Sequence, residues 1–403
     1  LNLVQRKKMQ MIQPGTPERR ATRLIFLLCG MAHSSWAPLV PYAKARVHAN
    51  DQQFGLLLLC FGAGSMLSMP AMGGLVSRYG CKRLIQFSAG AIFLGLVAVA
   101  VAPSSTLLAL SLFLFGSSIG AIDVVMNVQA SLVERDSGEN LMSGFHGLYS
   151  VGGFAGALVM SGLLWLNTPA GAAALIIVLL LLMLLWLANP SLLPYGDDQQ
   201  ERTKRFIWPD RYVLFLACLA FIMMLAEGSM LDWSAVFLVD KAGMIAKNAG
   251  IGFTAFSIAM TIGRFGGNYI IQRIGRRWTI TAGALLAASG FFLVTLLANP
   301  AGSVLGFAMI GLGAANVVPL IFSLASESGG SLGSNISFVS TLGYTGILTG
   351  PAMIGFVAHS KGFGVAFTGV ACLLTLVALS GSIAARKQVQ IPFQGEPAAV
   401  DKS

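Results

Sequence analysis

A chain of 403 residues that is 55% hydrophobic and only 10% charged is excluded from the ordinary soluble domains, which carry about 25% charged residues. So much apolar surface cannot be hidden from water, and lipid is the solvent that fits. The net charge of +10 does not point to nucleic acid, because the basic residues sit in short clusters between apolar runs, as the positive-inside rule expects of a membrane protein.

A bilayer crossing needs about 20 apolar residues. In chain order the predicted spans are about 22–44, 53–76, 84–102, 106–132, 142–166, 171–189, 212–239, 249–271, 279–298, 302–325, 335–358 and 364–385. The segment before Leu24 is polar and basic. It does not read as a signal peptide, so the first apolar run is expected to stay as a span. One long polar break, from Pro190 through Gly196, Asp197, Asp198 and Glu201 to Pro209, divides the spans six and six. The predicted organisation is an N-terminal tail (1–21), a six-helix bundle (22–189), a linker (190–211), a second six-helix bundle (212–385) and a C-terminal tail (386–403).

Glycine recurs inside the spans, for example Gly152, Gly153 and Gly156, where small residues let helices approach closely. Pro38 and Pro41 are expected to interrupt the first span, and Pro319 and Pro351 later ones, since proline removes a backbone donor. The five cysteines, Cys29, Cys60, Cys81, Cys218 and Cys372, form no CxxC pair and read as small apolar residues rather than as disulfides or metal ligands.

The halves repeat each other. Gly73-Gly-Leu-Val-Ser-Arg-Tyr-Gly-Cys-Lys-Arg83 follows the second span, and Asn268-Tyr-Ile-Ile-Gln-Arg-Ile-Gly-Arg-Arg277 follows the eighth. Arg78 and Arg273, Gly80 and Gly275, Lys82 and Arg277, and Tyr149 and Tyr344 share one offset. Ala32-His33-Ser34-Ser35 in the first span answers Ala226-Glu227-Gly228-Ser229 in the seventh at nearly the same offset. An internal repeat of six spans marks secondary transporters. With the N-terminus inside, 20 of the 26 Lys and Arg residues fall on the cytoplasmic side. Both termini are therefore expected in the cytoplasm, in a multi-pass protein of a bacterial inner membrane.

On these residues the sequence resembles the major facilitator superfamily, over about 20–390 of the chain. The most specific element is the loop Gly73-x-Leu75-x-x-Arg78-x-Gly80-x-Lys82 with its repeat; Ser77 and Gln272 stand where the family has an Asp. The resemblance implies an all-α membrane fold, twelve helices in two pseudo-symmetric six-helix bundles, with Arg78 and Arg273 as gating residues. Gly120-Ala-Ile-Asp123-Val-Val-Met-Asn127 and Ser143-Gly-Phe-His146-Gly-Leu-Tyr149-Ser150 are similar to the fucose permease type of sugar–proton symporter. Glu227-Gly-Ser-x-x-Asp232-Trp233 resembles facilitators grouped with a membrane protein of rhizopine metabolism. Span five lacks the Gly-Pro signature of some antiporter branches; Gly350-Pro351 occurs only in span eleven.

Ionisable residues inside spans are the sharpest chemical signal, because each costs about 2.5–3.5 kcal/mol to place at the bilayer centre. Asp123 is the first candidate for proton coupling; its alternative is a hydrogen-bonded packing residue. Asn127, one helical turn on, either binds a substrate hydroxyl or orients Asp123. His146, at similar depth on the next span, is a candidate to pair with Asp123 and relay a proton, or a packing residue. His33 and Glu227 occupy matching places and are candidates for substrate contact, Glu227 also for a second proton site. Trp36 offers a ring for stacking on a sugar, or packs in the core. Asp232 reads as a gate, an interface anchor with Trp233, or a ligand. Arg264 reads as structural or gating, snorkelling or paired with an acid. Tyr149, Asn316 and Tyr344 complete the cavity candidates, with Asn335 beside them.

The expected function is secondary active transport of a small hydroxylated solute, a sugar or cyclitol, by proton symport through alternating access. Proton-coupled export of drugs or metabolites is the alternative. No GxxxxGK[ST] loop is present, so the proton gradient rather than ATP is the expected driver, with no cofactor and no metal. No nucleophile–base or HExxH spacing indicates an enzyme. The expected partners are the solute and the bilayer, with no nucleic acid, and the protein is expected to be a monomer.

Overall fold

The computed structural model describes residues 17–137, 141–196, 210–328 and 332–385. The tails up to 16 and from 386, and most of the predicted linker (197–209), lie outside the described residues.

The described chain is helical. In order it forms α1 (Pro17–Ser34), a 3-10 turn (Ala37–Leu39), α2 (Val40–Arg46), α3 (Asp51–Val101), α4 (Ser105–Ser137), α5 (Met142–Trp165) and α6 (Ala170–Ala188). After the linker come α7 (Arg211–Asp240), α8 (Ala246–Ala249), α9 (Ile251–Leu297), α10 (Pro300–Ala314), α11 (Val317–Ser326), α12 (Leu332–Lys361) and α13 (Phe363–Ala384). Eleven stretches among the described residues are long and apolar enough to cross a bilayer. The eighth predicted span, about 249–271, is not among these eleven and forms the first arm of α9.

Local chemistry sets the helix starts. Asn50 accepts from Gln53 N–H at 2.8 Å while the Gln53 side chain accepts from Asn50 N–H, a capping box at the head of α3. Asp210 caps α7 by accepting from Val213 N–H at 2.7 Å. The first span breaks at Pro38, as expected of proline, into the 3-10 turn and α2. Pro351 lies inside the continuous α12; the break near Pro319 falls at Asn316, between α10 and α11. The N-terminal helix begins at Pro17 rather than near 22, and Arg19 within it is buried.

The repeat is structural. α3 and α9 each turn back on themselves at a glycine in nearly the same unusual conformation, Gly80 (φ 80°, ψ 161°) and Gly275 (φ 79°, ψ 165°). This region of backbone space is essentially open only to glycine. Helix contacts repeat as well. Gly116 of α4 packs on the Phe61 carbonyl, and Gly311 of α10 on the Phe256 carbonyl, pairs related by the offset of the motif loops. Gly152 and Gly156 bring α5 against the Leu27 and Met31 carbonyls of α1.

Bonds between helix ends fix the alternation of the chain. Lys82 N–H donates to the Leu193 carbonyl (2.8 Å), Tyr212 to the Ala384 carbonyl (2.6 Å), and Arg276 pairs with Glu327 (2.5 Å). These contacts put the two glycine turns, the start of α7 and the end of α13 on one side, called here the basic face. The first residues of the predicted linker are not a free tether, since Leu192 and Leu193 are buried. The rim of large exposed apolar side chains, such as Leu67, Phe87, Leu179, Trp186, Leu296 and Leu379, is the lipid-facing surface of a membrane protein.

Candidate functional site

Ionisable and aromatic side chains from both halves meet near mid-membrane. α4 contributes Asp123 and Asn127 one turn apart; the Asn127 amide donates to the Asp123 carbonyl at 2.8 Å and approaches its carboxylate at 3.5 Å. From the other half, the Tyr344 hydroxyl of α12 lies against the Asp123 carboxylate, and Glu227 of α7 is in range of the same phenol. Tyr149 of α5 shares a hydrogen bond of 2.9 Å with His33 Nδ1 of α1. The His33 ring stacks on Phe61 at 5.5 Å, with planes 9° apart. Asp123, Asn127, His33, Tyr149, Glu227 and Tyr344 thus surround one space.

Arg264 of α9 enters this space from the C-terminal half. Its guanidinium donates to Ser150 Oγ at 2.8 Å and stands 3.8 Å from Glu227. Of the two sequence readings, pairing with an acid describes it and snorkelling does not. Thr261, one turn before, reaches the Ser150 carbonyl at 3.4 Å. Three polar atoms here are buried without a protein partner: His33 Nε2, Glu227 Oε1 and Arg264 Nε. Buried polar groups are normally paired, so each of these three has hydrogen-bonding capacity that the protein leaves unmet.

Other expected contacts are not made. His146 does not meet Asp123. Its ring lies edge-on to Phe26 at 5.2 Å and its charged neighbour is Arg264. The reason is the packing order: α5 lies on α1 through Gly152 and Gly156, whereas α4 lies on α3 through Gly116 and Gly120. α4 and α5, although consecutive in sequence, are therefore not close-packed neighbours at this depth. Trp36 is 1% exposed, so its face is not available for stacking on a solute. Its indole N–H instead donates to Asp232 at 3.0 Å. Trp233 is no interface anchor: it is fully buried between Phe54 and Phe363 and donates to the Pro351 carbonyl at 3.0 Å. Asn316 fills the gap over Gly267 and donates to the Gly263 carbonyl at 2.9 Å. Asn335 is buried and donates to the Ser328 carbonyl at 3.4 Å. Arg78 and Arg273 sit on the basic face, each over a tyrosine ring, Tyr79 at 5.2 Å and Tyr269 at 5.3 Å.

The sequence reading passed over a contact set at the opposite face. Lys44 reaches Asp51 at 2.6 Å and, across the halves, Asp240 at 2.7 Å. Ser161 meets Thr254 at 3.4 Å, and Lys247 donates to Asn167 at 3.3 Å. The polar bonds that described residues form across the halves gather at mid-membrane and toward this face. His146 and Tyr344 are exposed, so the space between the halves opens toward the basic face. The signal was present: Lys44 and Asp240, like Trp36 and Asp232, are 196 positions apart, close to the repeat offset. Among the described residues no group of three or more His, Cys, Asp or Glu side chains is placed to hold a metal.

Comparison with known proteins agrees with this architecture. The family described as Major Facilitator Superfamily matches residues 24–351. The chain is 43% identical over 378 residues to an uncharacterized MFS-type transporter of Yersinia pestis, covering 94% of this chain and 98% of that protein. It is 31% identical to the membrane protein MosC of Rhizobium meliloti (88% of this chain, 86% of that protein). It is 26% identical to a glucose/galactose transporter of Brucella abortus (90% and 93%). Among solved structures, the nucleoside transporter NupG superposes with a TM-score of 0.74 at 14% identity, over 92% of this chain and 100% of that one.

Proposed function

The chain belongs to the major facilitator superfamily and is a transporter rather than an enzyme, and we propose that it carries a small hydroxylated solute by proton symport. The observation that carries this reading is the setting of Asp123. Its partners among the described residues, Asn127 and Tyr344, are both neutral. A carboxyl held only by neutral donors can gain and lose a proton without breaking an ion pair. Glu227, by contrast, faces Arg264. Asp123 also touches both halves at once, through Asn127 and Tyr344, so its charge state bears on how the halves meet.

The solute sits between the halves near mid-membrane, where facilitator sites form. His33, Tyr149, Asn127 and Tyr344 offer hydroxyl, imidazole and amide groups, and His33 Nε2, Glu227 Oε1 and Arg264 Nε lack protein partners. Directional polar groups of this kind match a sugar or cyclitol better than an apolar drug. The relative in Brucella abortus described as a glucose/galactose transporter supports the same class. His146 is an exposed group beside Arg264 and lines the way in from the basic face. By the distribution of Lys and Arg, that face is cytoplasmic, in a bacterial inner membrane.

The test is solute-induced proton movement in proteoliposomes holding the full chain, with a panel of sugars, cyclitols and cationic drugs. Proton entry with a sugar or cyclitol supports symport. Proton flux seen only with drugs, and running against them, replaces it with export.

A further inference from the structure

On the basic face, the turn between the two arms of α3 and the chain after α6 enclose a cavity of about 550 Å³, lined among others by Arg78, Tyr79, Lys82, Arg83, Gln86 and Tyr195. Its walls are fixed. Besides the Lys82 bond to Leu193, Cys81 N–H donates to the Tyr195 carbonyl at 3.2 Å, so Leu193–Tyr195 runs alongside the turn. This wall is anchored from within the bundle. Gln129 accepts from Leu193 N–H at 3.3 Å and donates to Thr22 at 3.1 Å.

Three cations edge the cavity, and none has a carboxylate partner among the described residues. Arg78 rests on the Tyr79 ring at 5.2 Å, and Lys82 and Arg83 make no ion pair. The acids near Tyr195 are Asp136 and Glu18, and Asp136 stands 3.9 Å from Arg135. The repeat supplies an internal contrast. At the second turn Arg276 is paired with Glu327, and among the described residues no other segment comes within 4 Å of the position a Cβ on Gly275 would take. One turn therefore brings its own counter-charge, and the other gathers three like charges around an open, built cavity. Like charges at such range repel, and a bound anion relieves them.

The adjoining surface indicates the source of that anion. Next to Gln86 stands Phe87 (76% exposed), followed at seven-residue spacing by Leu94 (64%) and Val101 (51%). Seven residues are two helical turns, so these side chains form one apolar stripe from the cavity into the bilayer. A headgroup seated at the cavity leaves its acyl chains along that stripe. We propose that this cavity binds the phosphate of an anionic phospholipid, with Arg78, Lys82 and Arg83 as the cations and the Tyr195 hydroxyl as a neutral donor.

The test is native mass spectrometry of the full chain in mild detergent, titrated with phosphatidylglycerol or phosphatidylcholine. Wild type is compared with Lys82→Gln, Arg83→Gln, their double variant, and Arg277→Gln at the other turn. Phosphatidylglycerol is expected to bind wild type in preference to phosphatidylcholine. Its affinity is expected to fall roughly fivefold for each cavity cation removed and to stay unchanged in Arg277→Gln. The single variants keep the test readable where the double variant fails to fold. Equal retention of phosphatidylglycerol by all variants overturns the site. If millimolar inorganic phosphate displaces the lipid from wild type and raises its melting temperature as much as the lipid does, a soluble phosphate is the ligand and the lipid assignment falls.

Discussion

Trp36 of the first span and Asp232 of the seventh stand at near-equivalent places in the two repeats and touch, the indole N–H donating to the carboxylate at 3.0 Å. Both are buried, and the bond ties the halves together on the side away from the basic face. Trp36→Phe keeps the packing but leaves a buried carboxylate oxygen without its donor, at a cost of about 1–3 kcal/mol to the closed arrangement. The opposite face is then expected to open more often. A membrane-impermeant thiol reagent added from that side should label Thr254→Cys at least fivefold faster in Trp36→Phe than in its parent, in a background stripped of reactive native thiols. An unchanged rate means that the bond does not hold the gate.

Lys44 adds a second tie between the halves through Asp240, with Asp51 of its own half as a further partner. Its position at the end of the span makes it sensitive to salt, and single ion pairs of this kind contribute about 0.2–1 kcal/mol each. Lys44→Asp is expected to raise the same labelling rate a few-fold, and adding Asp240→Lys to restore part of it. A double variant that labels faster than Lys44→Asp contradicts the pairing.

Arg264 and Glu227 are expected to be coupled. Arg264 is 34% exposed and Glu227 18%, so solvent screens them and the loss on removing one partner is about 1–2 kcal/mol, below the 3–5 kcal/mol of a fully buried pair. Arg264→Gln should therefore lower the melting temperature in detergent, and Glu227→Gln added to it should recover part of the loss. Strictly additive losses would show that the 3.8 Å approach contributes nothing.

The two glycine turns separate backbone strain from packing. Gly80→Ala and Gly275→Ala both force alanine into a region that costs about 1–3 kcal/mol. At Gly80 the added methyl also strikes the Pro194 carbonyl, whereas at Gly275 it meets open space. Gly80→Ala should thus lower the melting temperature more. Equal effects would mean that the chain after α6 yields freely.

The turns were legible because their requirement is local: a glycine flanked by basic residues, repeated at one offset, needs no tertiary knowledge. The depth of Asp123, His33, Glu227 and Tyr344 was legible for the same reason, since a residue's place along a span is counted from its ends. The face was not. Trp36 shares the first span with His33 and could as well face a sugar as the core, and only the fold turns its ring into the contact with Asp232. His146 follows Asp123 by one hairpin, yet α5 packs on α1 and leaves α4 to α3. Lys44 and Asp240 stand near span ends with no motif to mark them, and only the folded repeat brings them within 2.7 Å. The position of Asn316 likewise depends on the break between α10 and α11, which no single span announces.

The central claim is that Asp123 couples proton to solute. Its most direct test is Asp123→Asn in proteoliposomes, comparing solute exchange at equilibrium with uphill accumulation driven by an imposed proton gradient. Asn keeps a side chain of the same shape that accepts from Asn127 and Tyr344 but carries no titrating proton. The account predicts that the variant still exchanges solute and no longer accumulates it. Accumulation at the wild-type level would contradict the account and return Asp123 to a packing role.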